Sequence, residues 1–590
     1  MKNSSDNPAT VYELLLRSAD RFGNETALTY LKDASLELID EKISYSELIK
    51  NINKMVRLIH DHAKCNGSKA PVVSFLLPNI PQAYYILLGA GTAGIANPLN
   101  PLLSENALLA LTEKAQTDIL IALGPNPVSD IWQKAQSVAQ KMSNTPKLIP
   151  VVFSSEGIGE SFESMLADYS HAPLPKEWLP SPDSITAYFH TGGTTGTPKL
   201  AMHSHANHLC TANAYLRTMQ AGVGDVAMNG LPLFHVAGAL IVGLGSLAVG
   251  VNTVLPTMAG FRNPQVVSRY WDLVEHYQVT IGGAIPTTVA AIADVLVGNA
   301  NISSLRYLMT GGAPLPLSVP EKIKEATGLS LYQIYGMTET SGVTAMPNLN
   351  MDPVPGSAGQ VSGDIEVRID SDSDIPEDVG EICVRGPMVF LGYLGTEEPP
   401  LDDDGWLRTG DLGYIDSNKN LFITGRAKDL IIRSGHNIDP AVIETCLESH
   451  PAVSMAAAVG KPDVYAGELP VAYVQLHPDQ NVSGSTLRDY ALAHIDERPA
   501  CPKQVIVIEA LPLTAVGKIH KPTLRARSAK EAVEEALAVF SATAKAQMLA
   551  NGSIQVKVSA IRSDSEFNAA CVYLANQLNL EIEAVEGALA

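Results

Sequence analysis

Residues 191–199 read Thr-Gly-Gly-Thr-Thr-Gly-Thr-Pro-Lys. Glycines let a backbone approach an anion, threonine hydroxyls and free N–H groups donate to phosphate oxygens, and Lys199 adds positive charge. Thr191, Gly192, Gly193, Thr194, Thr195, Gly196, Thr197 and Lys199 therefore make a candidate phosphate cradle, although the same composition also suits a surface turn. The stretch departs from the common G-x-x-x-x-G-K-[ST] loop, because Lys199 follows Pro198 and precedes Leu200. A kinase or motor reading loses its main support.

Other stretches carry complementary chemistry. Gly311-Gly312-Ala313-Pro314 follows a strand pattern at 307–310 and would expose backbone groups to a flat base. Tyr335-Gly336-Met337-Thr338-Glu339 sets an aromatic, a glycine, a hydroxyl and a carboxylate in succession, able to stack a purine, bind phosphate and hold Mg2+. Asp411 is a carboxylate able to take both hydroxyls of a ribose. Lys518, on a Gly-containing loop between apolar residues, is a candidate mobile cation. Taken singly, these also read as a polar turn, a turn aspartate and a surface lysine. His235 alone reads as a core histidine. His203, His205 and His208 have no carboxylate in their segment to orient an imidazole, so they read as polar residues opening a helix rather than metal ligands.

These residues need elements to hold them. A β-rich run at 184–190 precedes the cradle. Behind it Ser204 can cap a helix over 205–219, with Leu209, Ala212, Leu216 and Met219 on one face. Residues 11–125 alternate helix and strand patterns, including helices at 11–22 and 45–63 and strands at 72–77 and 119–123, the mark of a layered α/β domain. Prolines suggest extended connections over 126–180. The apolar run 236–251 is broken by Gly238, Gly243, Gly245 and Gly250, which suits a pocket wall for an apolar ligand as well as a packed core segment. Residues 361–425 read as short strands with an acidic hairpin tip at 370–378. A compact α+β unit follows to about 525, with Asp439 and Pro440 opening a helix. In the C-terminal stretch, 529–549 and 567–577 read as helices and 554–560 and 580–584 as strands.

The chain of 590 residues is 46% apolar and 17% charged, as a soluble globular protein is. Its formal charge of −21 disfavours nucleic acid or an anionic membrane as partner. The six cysteines form no C-x-x-C pair, so reduced thiols are expected. A polar N-terminus without signal-peptide order and the absence of an apolar run of about 20 residues point to the cytoplasm and against integral membrane association.

In order, the stretches 191–199, 335–339, 406–411, 425–435 and 517–519 make the chain resemble the adenylate-forming superfamily of acyl-CoA synthetases and luciferase-like enzymes. The resemblance spans roughly residues 10–525. It implies an α/β fold with a large N-terminal domain, 1–425, of two layered α/β subdomains plus a small β-rich one. A hinge at 426–430 and a mobile α+β lid at 431–527 follow, leaving 528–590 as an α+β extension without a role.

By that resemblance the 191–199 loop holds the β- and γ-phosphates of ATP. Gly312, Ala313 and Pro314 line the adenine pocket, and Tyr335, with Gly336 and Met337 behind it, stacks on the base. Thr338 meets the α-phosphate and Glu339 places Mg2+. Asp411 and Arg426 grip the ribose, Lys428 is the hinge, Lys518 bridges carboxylate and α-phosphate, and Ser434 and Gly435 border a tunnel for coenzyme A. His235 matches a pocket histidine that meets the carboxylate. The implied reaction joins a carboxylic acid to AMP with loss of pyrophosphate, then passes the acyl group to CoA after the lid swings. Lys521 replaces an arginine of many relatives. Asn437, where acetate-specific relatives carry arginine, favours a fatty or aryl acid, as does the apolar run after His235. A ligase loading a carrier-protein phosphopantetheine and a non-catalytic nucleotide-binding protein are the alternatives.

Overall fold

The computed structural model describes residues 7–37, 39–63, 70–152, 160–191, 199–313, 315, 318–361, 363–370, 379–396, 401–426, 429–434, 436–495, 497–514, 517–549, 553–560, 565–578 and 580–585. Local sequence signals fix the first helices. Val11–Phe22 starts where the Thr10 side chain accepts from the Glu13 N–H, and Tyr45–His62 starts at a reciprocal Ser44–Glu47 capping box.

Two sheets form the layered N-terminal part. A six-stranded sheet runs Lys147–Val151, Ile119–Leu123, Val72–Leu76, Ile95–Pro98, Ile185–His190, Leu200–Ser204, parallel except for the last pair. A seven-stranded sheet runs Leu331–Ile334, Tyr307–Gly311, Ile281–Gly283, Val226–Met228, Asn252–Pro256, Thr26–Leu31, Glu41–Ser44, again parallel except at its last edge. Parallel strands buried on both faces explain the unbroken apolar runs. The third sheet is the expected β-rich subdomain, six antiparallel strands including Leu407–Ile415 beside Asn420–Arg426.

Several expectations are corrected. The strands flanking the cradle pair antiparallel, His190 facing Leu200, so a second strand, rather than a helix, follows Lys199. Leu216, expected on the inner face of the Ser204-capped helix His205–Met219, is 55% exposed, outside the buried face. Residues 126–180 hold the helices Ile131–Lys141 and Phe162–Ala167 and the strand Lys147–Val151, so the prolines punctuate structure there instead of preventing it. Asp411 lies within a strand, not on a turn. The acidic tip at 371–378 lies outside the described residues.

In the C-terminal unit, Gly467–Leu476 pairs with Val453–Asp463 on one side and Gln504–Val507 on the other, packed against Pro440–Glu448 and Gly484–His494. The stretch expected to be one helix over 529–549 divides: Lys521–Ala536 is helical, whereas Thr543–Met548 is a strand paired with Ile554–Ser559. Alanine, lysine and glutamine there favour helix locally, but strand pairing prevails. The helix Lys521–Ala536 crosses the expected boundary at 527/528: Leu524 packs in the lid core, while Ala529 and Val533 pack with Val556, Phe567 and Cys571 of the extension.

Candidate active site

The candidate residues converge at the carboxyl ends of the parallel strands, where α/β sheets bind ligands. Gly312 follows the strand Tyr307–Gly311 with φ +84°, and a Cβ placed there would lie 3.5 Å from Lys518 Cε and 3.6 Å from its Nζ. The lysine of the lid therefore lies across a bare stretch of N-terminal backbone. Burial, and next the Arg426 guanidinium, lower the Lys518 pKa to about 8 against the opposing fields of Asp411 and Glu339. Among the described residues no carboxylate reaches salt-bridge distance of Lys518.

Asp411 and Arg426 are direct cross-strand partners. Arg426 Nε lies 3.1 Å from Asp411 Oδ1, and the Tyr335 hydroxyl donates to Oδ2 at 2.7 Å. Burial and then the Asp411 charge push the Tyr335 phenol well above its ordinary pKa, so it stays a neutral donor. An ionised carboxylate has about four acceptor positions, so two remain for a diol.

Thr338 and Glu339 lie on a tight turn braced by the Thr340 side chain, which accepts from the Met337 N–H at 3.0 Å. Gly336 admits no side chain, since a Cβ would sit 2.1 Å from the Gly342 carbonyl oxygen. The Thr338 carbonyl is held by His203 Nε2 at 2.9 Å, and His203 Nδ1 lies 3.3 Å from His208 Nε2. With Nε2 donating to a carbonyl, His203 Nδ1 is left to accept from His208. Burial lowers the His203 pKa to about 4, keeping this chain neutral. His203 is thus a fully buried strand residue, not part of a helix start, and no group of three or more potential metal ligands occurs among the described residues.

Glu339 is buried, and its Oε1 accepts from the Tyr393 hydroxyl at 2.5 Å. Lys199 Nζ lies 4.7 Å from the centroid of the Tyr393 ring. Thr191 N–H donates to the Lys199 carbonyl at 2.9 Å, closing the neck of the hairpin. Sequence reading missed Tyr393, because a single tyrosine in Leu391-Gly392-Tyr393 has no neighbouring polar group to mark it. Gly192, Gly193, Thr194, Thr195, Gly196, Thr197, Pro314, Lys428 and Gly435 lie outside the described residues.

His235 Nδ1 accepts from the Ala237 N–H at 3.3 Å, which leaves the proton on Nε2. Burial, then Lys518 and His190, lower its pKa to about 3. The run after it winds as a π-helix over Ala237–Leu244, a form frequent at functional sites. Of the two readings its glycines allowed, pocket wall or packed core, the structure has the packed core. A Cβ on Gly238 would lie 2.5 Å from the Pro232 carbonyl oxygen, and one on Gly245 2.6 Å from the Tyr215 ring, so they permit close packing. Val236 and Ile241, both buried, pack against Gly342. Ser434 sits in a lid turn, its N–H donating to the Ala466 carbonyl, and no described contact joins it to the Lys518 cluster.

Fold and site together are those of an adenylate-forming enzyme, and the chain belongs to the AMP-binding enzyme family: residues 15–394 match the AMP-binding enzyme model and residues 442–518 its C-terminal domain model. Marinolic acid–CoA ligase of Pseudoalteromonas sp. (strain SANK 73390) is 35% identical over 538 residues, 88% of this chain and 81% of that protein. 4-Coumarate–CoA ligase 2 of Solanum tuberosum is 32% identical over 482 residues, covering 78% and 84% respectively. The crystal structure of ATP-bound MatB from Rhodopseudomonas palustris aligns with a TM-score of 0.76 at 25% identity, covering 89% of this chain and all (100%) of that one.

Proposed function

We propose that the chain activates a carboxylic acid with ATP and transfers the acyl group to coenzyme A. The carboxylate attacks the α-phosphorus and pyrophosphate leaves. The CoA thiolate then attacks the carbonyl of the acyl-adenylate, and AMP departs. The observation that carries this reading is Lys518 lying over Gly312 in the combined field of Arg426, Asp411 and Glu339. Two like charges about 4 Å apart repel by about 1 kcal/mol in water but about 4 kcal/mol at an effective dielectric of about 20. A carboxylate approaching a triphosphate away from bulk water therefore needs a cation beside it. With a pKa of about 8, Lys518 is roughly nine-tenths ammonium at pH 7 and serves that purpose.

The remaining roles are those the family likeness suggests. Thr191, Lys199 and their loop take the β- and γ-phosphates, Gly312 and Ala313 face the adenine, and Tyr335 fixes Asp411 for the ribose beside Arg426. Thr338 meets the α-phosphate, and His235 offers its Nε2–H to the substrate carboxylate. Glu339 suits Mg2+, a hard ion that takes one or two carboxylates together with substrate phosphates and water. Bound there, Mg2+ neutralises phosphate charge. After adenylation the lid turns about the hinge, withdrawing Lys518 and presenting the CoA path beside Ser434.

The likeness to 4-coumarate and long-chain-fatty-acid ligases favours an aryl or aliphatic acyl group. No helix among the described residues is long and apolar enough to cross a membrane. The five described cysteines are all unpaired, which fits the reducing cytoplasm. Incubation with ATP, Mg2+, CoA and a panel of fatty and aromatic acids is expected to release AMP and pyrophosphate with one acid class. Release of ADP and phosphate overturns the reading, and accumulation of acyl-AMP despite CoA moves the acceptor to a carrier protein.

A further inference from the structure

The lysine loop of the lid is held at a point outside the site. Its turn is built by Gly517 N–H donating to the Thr514 carbonyl at 2.8 Å and Thr514 N–H donating to the Lys518 carbonyl at 2.7 Å. Gly517 has φ +79°, a conformation that glycine adopts without strain. This turn meets the start of the N-terminal helix Pro286–Ala293. Thr287 Oγ1 donates to the Gly517 carbonyl at 3.0 Å, and a Cβ on Gly517 would lie 2.5 Å from Ile285 Cδ1. Ile285 follows the strand Ile281–Gly283 and Gly312 follows Tyr307–Gly311, and these strands are paired neighbours. The turn thus docks across two adjacent strand ends, one residue before the lysine.

We propose that Thr287 and Ile285 form a latch that recognises only the adenylation orientation of the lid and so positions Lys518. Neither side chain is among the residues assigned above to ATP or the acid. The Thr287 hydroxyl satisfies a carbonyl of the lid that loses this partner once the lid turns away, and Ile285 fits a surface that only a glycine presents. The latch lowers the free energy of one lid orientation relative to the other, so it favours the first half-reaction and opposes departure into the second. This rests on the lid turning between half-reactions, as proposed above.

The test compares acid-dependent pyrophosphate release with thioester formation from supplied acyl-AMP and CoA, in Thr287→Val, Thr287→Ser and Ile285→Ala. One interfacial hydrogen bond corresponds to roughly a two- to tenfold change. Thr287→Val is expected to lower kcat for adenylation by that factor, leave KM for ATP unchanged, and leave thioester formation equal or faster. Thr287→Ser, which keeps the hydroxyl, is expected to restore adenylation, and Ile285→Ala to act in the same direction as Thr287→Val. Equal losses in both half-reactions, or none in either, overturn the latch, as does failure of Thr287→Ser to restore the rate. Lys518→Ala run alongside separates the two claims: if it damages both half-reactions equally, the lid reading itself has failed. If it spares the second while Thr287→Val does not, only the latch has.

Discussion

The phenol oxygen of Tyr393 lies 2.5 Å from Oε1 of Glu339, and the ammonium of Lys199 lies 4.7 Å from the centroid of the same ring. One side chain thereby joins Lys199, at the neck of the candidate cradle, to the carboxylate proposed for Mg2+. The hydroxyl fixes one carboxylate oxygen, leaving the other for the ion. Partners that orient a metal ligand are worth about 10–100-fold in affinity. Tyr393→Phe is therefore expected to raise the Mg2+ concentration for half-maximal pyrophosphate release by about tenfold, with little loss at saturating Mg2+. Tyr393→Leu also removes the ring beneath Lys199 and is expected to raise KM for ATP. Direct titration of Mn2+ binding in the ATP complex reads the first effect without relying on turnover.

With the role proposed for it, Lys518 is expected to give adenylation an alkaline limit. Its charged form is the useful one, and its pKa of about 8 lies below the ordinary lysine value of 10.5 because burial penalises the ammonium. In kcat/KM for pyrophosphate release, activity is expected to fall as pH rises through about 8, by about tenfold per unit beyond it. Lys518→Arg, whose guanidinium keeps its proton, is expected to be slower but to lose that limb.

Tyr335→Phe removes one of the two groups that fix Asp411 while leaving the ring for the base. A hydrogen bond to a charged group is worth about 10- to 150-fold, expected here in KM for ATP and not in kcat. Asp411→Asn, which also releases Arg426, is expected to cost more.

Glu448 of the lid carries a pH-dependent stability penalty. Burial, offset in part by the Ala456 N–H, raises its carboxyl from 4.5 to about 8. Between those values the folded state holds a proton that the unfolded chain gives up, so stability falls as pH rises through the window. Glu448→Gln keeps an acceptor for Ala456 and removes the charge. It is expected to raise the thermal midpoint by a few degrees at pH 8 and by little at pH 5, read by calorimetry at both.

Much of this was legible in the sequence because the signals are local. Ser44, Ser204 and Asp439 each cap the helix expected of them, and the runs at Val72 and Ile119 are buried strands. Tyr335, Glu339, Asp411 and Lys518 stood out through side-chain chemistry close to a glycine, and Gly312 through the Gly-Gly-Ala-Pro stretch. What escaped depends on pairing between distant segments. Leu200–Ser204 became a strand because it meets Ile185–His190, and Thr543–Met548 because it meets Ile554–Ser559. Tyr393, His203 and Thr287 act through contacts with residues 54, 135 and 230 positions away, and no spacing rule reveals that. The glycines at 238 and 245 were ambiguous, since room for a ligand and room for a neighbouring ring or carbonyl need the same residue.

The central claim is that Lys518 belongs to one half-reaction only. Lys518→Ala is expected to lower acid-dependent pyrophosphate release by about 10²–10³-fold, the usual loss for a group that stabilises developing charge, while thioester formation from supplied acyl-AMP and CoA proceeds at the wild-type rate. A loss of the same size in both reactions would contradict it.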